Sequence, residues 1–167
     1  MRERALISTA GHRLRRVVWA ALIIASVACV GCQPKDVRPG LWLNGETVSE
    51  AVDDWSFTHD VEEIFVQTKS WWLIPHSTTI WCVEVGGELY IGSYGDSKKT
   101  WEKNVARNPD AKLRIDGKIY SVTLKLVTDD DQTAALDRAY NVKYDMEEVF
   151  GDDLPRWWFY HAEQRES

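Results

Sequence analysis

Two glycine turns, each set between runs of alternating side chains, restrict this chain more than any other feature. "TTIWCVEV" (78–85) is rich in β-branched and aromatic residues, Gly86-Gly87 follows, and "ELYIGSY" (88–94) returns. A two-residue turn of this type takes positive φ at both positions, and its twist matches that of the flanking strands, so the stretch reads as a tight hairpin. The pattern repeats downstream. "AKLRI" (111–115), Asp116-Gly117 and "KIYSVTLKLV" (118–127) form a second hairpin, with apolar positions at Ile119, Val122, Leu124 and Leu126. The slip between Ile119 and Val122 predicts a bulge.

Between the hairpins, Lys98 to Arg107 reads as a short helix, with Trp101 and Val105 on one face. Asn108-Pro109 stops it, because the residue before proline avoids helical geometry. "VEEIFVQT" (61–68) is an earlier strand and "RWWFYHAE" (156–163) a final one. Thr128 with Asp129, Asp130 and Asp131 suits the start of a second helix running toward Tyr140, where the acids meet the positive end of the helix dipole. That is a structural use of the acidic run and not a metal site. Residues 41–60 are ambiguous, with a short helix expected around "TVSEAVDDW". Antiparallel strands with short helices give a mainly β, α+β fold, a closed or partly closed antiparallel barrel with flanking helices.

The first 32 residues have a different character. Arg13, Arg15 and Arg16 precede an uncharged apolar run from Val17 to Val30, the layout of an export signal. The run ends "CVGC", which resembles the bacterial lipoprotein signal, with Gly31 before a lipid-accepting Cys32. "SVAC", ending at Cys29, is a second box, and an uncleaved anchor helix is the alternative to both. Arg15-Arg16 also bears a faint likeness to a twin-arginine signal. "QPKDVRPG" (33–40) then serves as a polar tether. Hence residues 1–32 read as a lipoprotein-type signal peptide, 33–40 as a tether and 41–167 as a single domain in the bacterial cell envelope, joined to the membrane by lipid.

Without residues 1–32 the chain keeps 15 basic and 25 acidic residues, a net charge of −10. Such a body is repelled by nucleic acid and by anionic lipid, so neither is an expected partner, and the membrane link is the lipid anchor. Cys82 is the one cysteine left, in an apolar strand pattern where it reads as a small core residue. His59, His76 and His161 lack the spacing of metal ligands, and no nucleophile, phosphate-loop or metallohydrolase motif occurs. Eight tryptophans remain, heavy for a domain of this size, so some are expected to line a cleft.

One segment stands out chemically. In "SYGDSKKTWEKNVARNP" (93–109) a strand ends at Ser93-Tyr94, turns at Gly95-Asp96, and enters a helix through Ser97-Lys98-Lys99. Lysines at the amino end of a helix oppose its dipole unless an anion offsets them. The arrangement therefore predicts a seat for an anion such as phosphate, against the plainer reading of a solvated lysine pair.

The run from Thr78 to Val127 resembles the core of the flavin-binding split barrels, the pyridoxamine-phosphate-oxidase-like and deazaflavin-dependent nitroreductase-like proteins. In that family a hairpin leads through a basic or serine-bearing turn to a short helix closed by Asn-Pro, then to another hairpin. The resemblance implies an antiparallel split β-barrel binding FMN or a deazaflavin. Ser93, Lys98, Lys99 and Trp101 would lie at the phosphate and ribityl, Thr78, Thr79 and Trp81 beside the ring, with Tyr94 and Ser97 also among the cofactor-binding residues. Tyr90 and Tyr94 would donate hydrogen bonds to ring or substrate, with barrel packing the alternative for Tyr90. Chemistry would then belong to the cofactor, as in an oxidoreductase acting on a small molecule, without a protein nucleophile. The competing expectation is a non-enzymatic, membrane-tethered module that binds a ligand or protein on the same barrel. Such barrels often form homodimers, and "RWWFYH" (156–161) offers either a pairing surface or a strand covered on both faces by the chain's own helices.

Overall fold

The computed structural model describes residues 40–151 and 155–165. The expected signal peptide and most of the tether, with Cys29 and Cys32, lie outside the described residues. The strands are β1 (Glu46–Val48), β2 (Glu63–Lys69), β3 (Pro75–Val85), β4 (Glu88–Tyr94), β5 (Asp110–Ile115), β6 (Lys118–Leu126) and β7 (Trp157–Gln164). The helices are α1 (Thr100–Val105), α2 (Asp130–Tyr144) and α3 (Met146–Phe150), with a single 3-10 turn at Ser56–Thr58.

Strand order is β1-β6-β5-β2-β3-β4-β7, and β7 pairs back onto β6, so six antiparallel strands close into a barrel. Along one edge of β6, β1 pairs in parallel with Lys118 to Tyr120 and β7 pairs antiparallel with Val122 to Leu126. This is the antiparallel split barrel expected from the sequence. Both hairpin turns take the expected form, with φ of 66° and 85° at Gly86-Gly87 and 48° and 81° at Asp116-Gly117.

Alternation fills the barrel. Ile64 and Val66 from β2, Ile80 and Cys82 from β3, Leu113 and Ile115 from β5, and Tyr120, Val122 and Leu124 from β6 share one core with Tyr160, and Trp101 closes it at one end. A second cluster lies outside the barrel, where Leu136, Tyr140 and Met146 cover Val83, Tyr90 and Phe159. The outer side of β7 is thereby covered at Phe159 by the chain's own helices, while Tyr160 and Ala162 face the barrel core and Trp157 and Trp158 stay half-buried.

Three local readings are corrected. The β5–β6 register runs without interruption from Asp110↔Thr123 to Ile115↔Lys118, so there is no bulge; Tyr120 takes the interior position between the ladders, and Ile119 points to the other face beside Gly45. The segment around "TVSEAVDDW" holds β1 in place of a helix. The helix expected from Lys98 starts at Thr100, because Lys99 is extended (φ −73°, ψ 169°).

Asp129 caps α2, its carboxylate accepting the Gln132 N–H at 2.7 Å. A cap of this type stabilises a helix by about 1 kcal/mol. Among the described residues no helix is long and apolar enough to cross a membrane.

Candidate functional site

The chain between β4 and α1 turns on a buried carboxylate. Glu102, in the first turn of α1, has its side chain wholly buried. Its Oε2 accepts the Lys99 backbone N–H at 2.7 Å and the Ser93 hydroxyl at 2.8 Å. Its Oε1 accepts the Tyr160 hydroxyl at 3.0 Å and pairs with Lys98 Nζ at 3.2 Å. Lys98 also donates to the Tyr160 oxygen at 3.0 Å and sits 4.5 Å from the Trp158 ring centroid. The anion that offsets Lys98 is therefore supplied by the chain itself. Burial and the neighbouring Glu102 carboxylate together hold the Tyr160 phenol far above its ordinary range, so it remains a donor.

Lys99 behaves differently. Its Nζ lies 3.9 Å from the Tyr94 ring centroid, a cation–π contact, and it faces an open cavity of about 460 Å³. Partial burial lowers its pKa, with the Glu102 charge acting in the opposite direction. Thr78, Thr79, Ile80 and Trp81 of β3, Gly92 and Tyr94 of β4, and Thr100 and Trp101 of α1 line the cavity. Trp157, brought in by its pairing with Tyr94, completes the wall, and His76 and Glu63 line it further along the strands.

The aromatic wall is held from behind. Trp81 stacks on Tyr144 at 4.6 Å and 10° between planes, and Tyr94 meets Phe150 edge-on at 5.0 Å. Tyr144 is fixed by donating to the Cys82 carbonyl at 2.7 Å. The Tyr140 hydroxyl donates to the Trp81 carbonyl at 2.9 Å, and a methyl group at Gly92 would come within 2.8 Å of that hydroxyl oxygen. Glycine there lets α2 approach the sheet and set the wall.

Of the residues singled out in the sequence, Thr78, Thr79, Trp81, Tyr94, Lys99 and Trp101 line this one cavity, whereas Ser93, Ser97 and Lys98 lie off its lining. Ser93 and Lys98 are committed to Glu102. Tyr90 lies under α2, accepting from Gln132 Nε2 at 3.0 Å. Trp157, Thr100, Gly92 and His76 were not singled out. Trp157 becomes visible only when β7 is paired with β4. Glu102 carried a local signal, four residues after Lys98 and three after Lys99.

Residues 58–152 match the family model described as "Uncharacterized protein conserved in bacteria (DUF2255)". The chain belongs to that family. The DUF2255 match takes in β2 through α3 and thus nearly all of the cavity. No curated protein matches the sequence.

Among solved structures, the DUF2255 barrel is similar to the conserved hypothetical protein Rv2991 from Mycobacterium tuberculosis. That likeness has 14% identity, covers 74% of this chain and 86% of that one, and has a TM-score of 0.56. The barrel is also similar to Atu2129, of unknown function, from Agrobacterium tumefaciens str. C58, at 14% identity over 64% of this chain and a TM-score of 0.50. The match spans about half of that protein, 49% of its length. A putative pyridoxamine 5'-phosphate oxidase from Listeria innocua is similar at 18% identity, over 62% of this chain and 84% of that one, with a TM-score of 0.47. At these identities the likeness is one of fold.

Proposed function

We propose that the Lys99 cavity binds a flavin-type cofactor, FMN or a deazaflavin, and that the protein is an envelope lipoprotein whose barrel serves redox chemistry on a small molecule. One observation carries the reading. Lys99 and the threonines Thr78, Thr79 and Thr100 border the same open cavity as Trp81, Tyr94 and Trp157. A planar ring with an anionic tail needs this combination: a flat aromatic wall for the ring, and a cation with hydroxyl donors for the phosphate or its equivalent. The residues fit such a group. Lys99 and the threonine hydroxyls would hold the tail, and Trp81 and Trp157 would flank the ring. When bound, the cofactor supplies hydride or electron transfer; the chain's part is to bind, to orient and to keep water from the ring.

The test is spectroscopic. Purified protein is titrated with flavin mononucleotide and with a deazaflavin, following flavin fluorescence. Saturable quenching that is lost in Lys99→Ala supports the reading, and a colourless protein that leaves both fluorophores untouched overturns it. The internal pairing of Lys98 with Glu102 favours a second reading, because it leaves the cavity a single lysine. In that reading the domain is a non-enzymatic, membrane-tethered module that takes a small anionic ligand or a protein partner in the same cavity.

The setting belongs to the same proposal. Cys32 as lipid acceptor and the apolar run before it support an anchored envelope location, with Cys29 as the alternative acceptor. Cys32→Ser is expected to block processing or release the protein from the membrane fraction. A homodimer is the expected assembly, and sedimentation measures it directly.

A further inference from the structure

The loop between β2 and β3 is Ser70-Trp71-Trp72-Leu73-Ile74, closed by the Ser70 N–H donating to the Ile74 carbonyl at 2.9 Å and the Leu73 N–H to the Ser70 carbonyl at 2.9 Å. Its four apolar side chains are between 50% and 75% exposed, and the two tryptophan rings lie against each other at 3.4 Å between centroids. Leu73 has a φ of 61°, a left-handed conformation that disfavours a leucine and that glycine would take freely. Trp42 and Leu41 are exposed at the same end of the barrel. They are held there because Ser77 donates through its N–H to Gly40 and through its hydroxyl to Leu41, and the Leu43 N–H donates to Gln67 Oε1. Gln67 and Ser77 are partners in the ladder that leads to the loop.

We infer that this end of the barrel, Trp71 to Ile74 with Leu41 and Trp42, is a surface that docks into a lipid bilayer. Two further features select a bilayer over other occupants. In a chain with 26 acidic residues, none occurs from Ile64 to Val83; along this segment the charged or titratable groups flanking the loop are Lys69 and His76. The loop and the strand segments that lead into it therefore bring no carboxylate to the interface, and Asp110, beside Ala111 on β5 where that strand pairs with Thr68, is paired with Arg165 at 3.1 Å. The described chain also begins at this end, at Gly40, a few residues after the apolar run Val17 to Val30 and Cys32. Gly40 lies eight residues after Cys32, so a lipid on Cys32 would be joined to the barrel at this end. Paired tryptophans with leucine and isoleucine are what the headgroup boundary accommodates, indole at the polar level and aliphatic chains below it. The cavity shares strand β3 with this surface, so docking would hold the Lys99 site near the membrane. The inference takes its membrane setting from the envelope reading above, not from the cofactor.

The test uses the full chain reconstituted into phosphatidylcholine vesicles, with and without brominated acyl chains. Tryptophan emission is compared between wild type and Trp71→Ser/Trp72→Ser, with flotation recorded for both. The expected result is strong quenching by brominated lipid in the wild type, of which the variant loses a large part while still floating. If both proteins float and are quenched equally, the loop stays in water and the docking inference fails while the envelope reading stands. If neither floats, both fail. Should the wild-type tryptophans be shielded from brominated lipid and from aqueous iodide alike, with dimers in sedimentation lost in the variant, the surface pairs two copies and the bilayer inference is overturned.

Discussion

Lys98 Nζ stands 3.2 Å from Glu102 Oε1, one turn along the chain, and the two close a network with Ser93 and Tyr160 at the junction of β4, α1 and β7. The pairing separates two lysines that are adjacent in sequence. One belongs to the framework and the other to the cavity.

Glu102→Ala is expected to destabilise the fold by about 3 kcal/mol, because it leaves the Ser93 and Tyr160 hydroxyls and the Lys98 ammonium without their acceptor. Urea denaturation measures the loss. Lys98→Met, which keeps the stem over Trp158, should lose about half as much. A Glu102 variant as stable as wild type would show that the network is dispensable.

Lys99→Ala should separate function from stability. The side chain is exposed at the cavity and rests on the Tyr94 ring, so the unfolding free energy from urea denaturation is expected to change by less than about 0.5 kcal/mol. Affinity for an anionic flavin should fall about tenfold or more, as for loss of a charge-assisted hydrogen bond. Equal flavin titrations for Lys99→Ala and Lys98→Met would detach the lysine from the site.

Gly92→Ala should cost about 1–3 kcal/mol, since the added methyl meets the Tyr140 hydroxyl oxygen at 2.8 Å and its ring carbon at 2.9 Å, and α2 must shift to admit it. The double variant with Tyr140→Phe should recover only part of the loss, because the ring carbon remains in the way. Thermal melts of the single and double variants decide it.

Burial pushes the Cys82 thiol up to about 11, against Lys143 and the Tyr144 hydroxyl, which pull it down. An exposed thiol ionises near 9.0, so above that pH the unfolded chain sheds a proton that the folded chain retains. Stability is then full below about pH 9 and falls by about 2–3 kcal/mol as pH rises toward 11. Urea midpoints across this range should flatten in Cys82→Ala relative to wild type. The native thiol should react with a disulfide reagent only slowly at pH 8.

Local rules reached much of this architecture. Gly86-Gly87 and Asp116-Gly117 fix two hairpins through backbone chirality alone, and Asn108-Pro109 and Asp129 mark helix ends by equally local chemistry. What those rules could not supply is set by pairing between distant segments. Tyr120 reads as an interruption in an alternating strand until it is seen to fill the barrel between β5 and β7. Trp157 joins Trp81 only because β7 crosses to β4. The helix start at Lys98 failed for a related reason. Ser93 and Tyr160, far apart in sequence, hold Glu102 in place, and its carboxylate draws Lys99 into an extended cap.

The closing of the barrel has a consequence for how the chain is made. β7 is the stave that both β4 and β6 require, and its pairing runs to Gln164. A chain that has not yet reached β7 cannot complete the cylinder, so closure waits until all six staves are present.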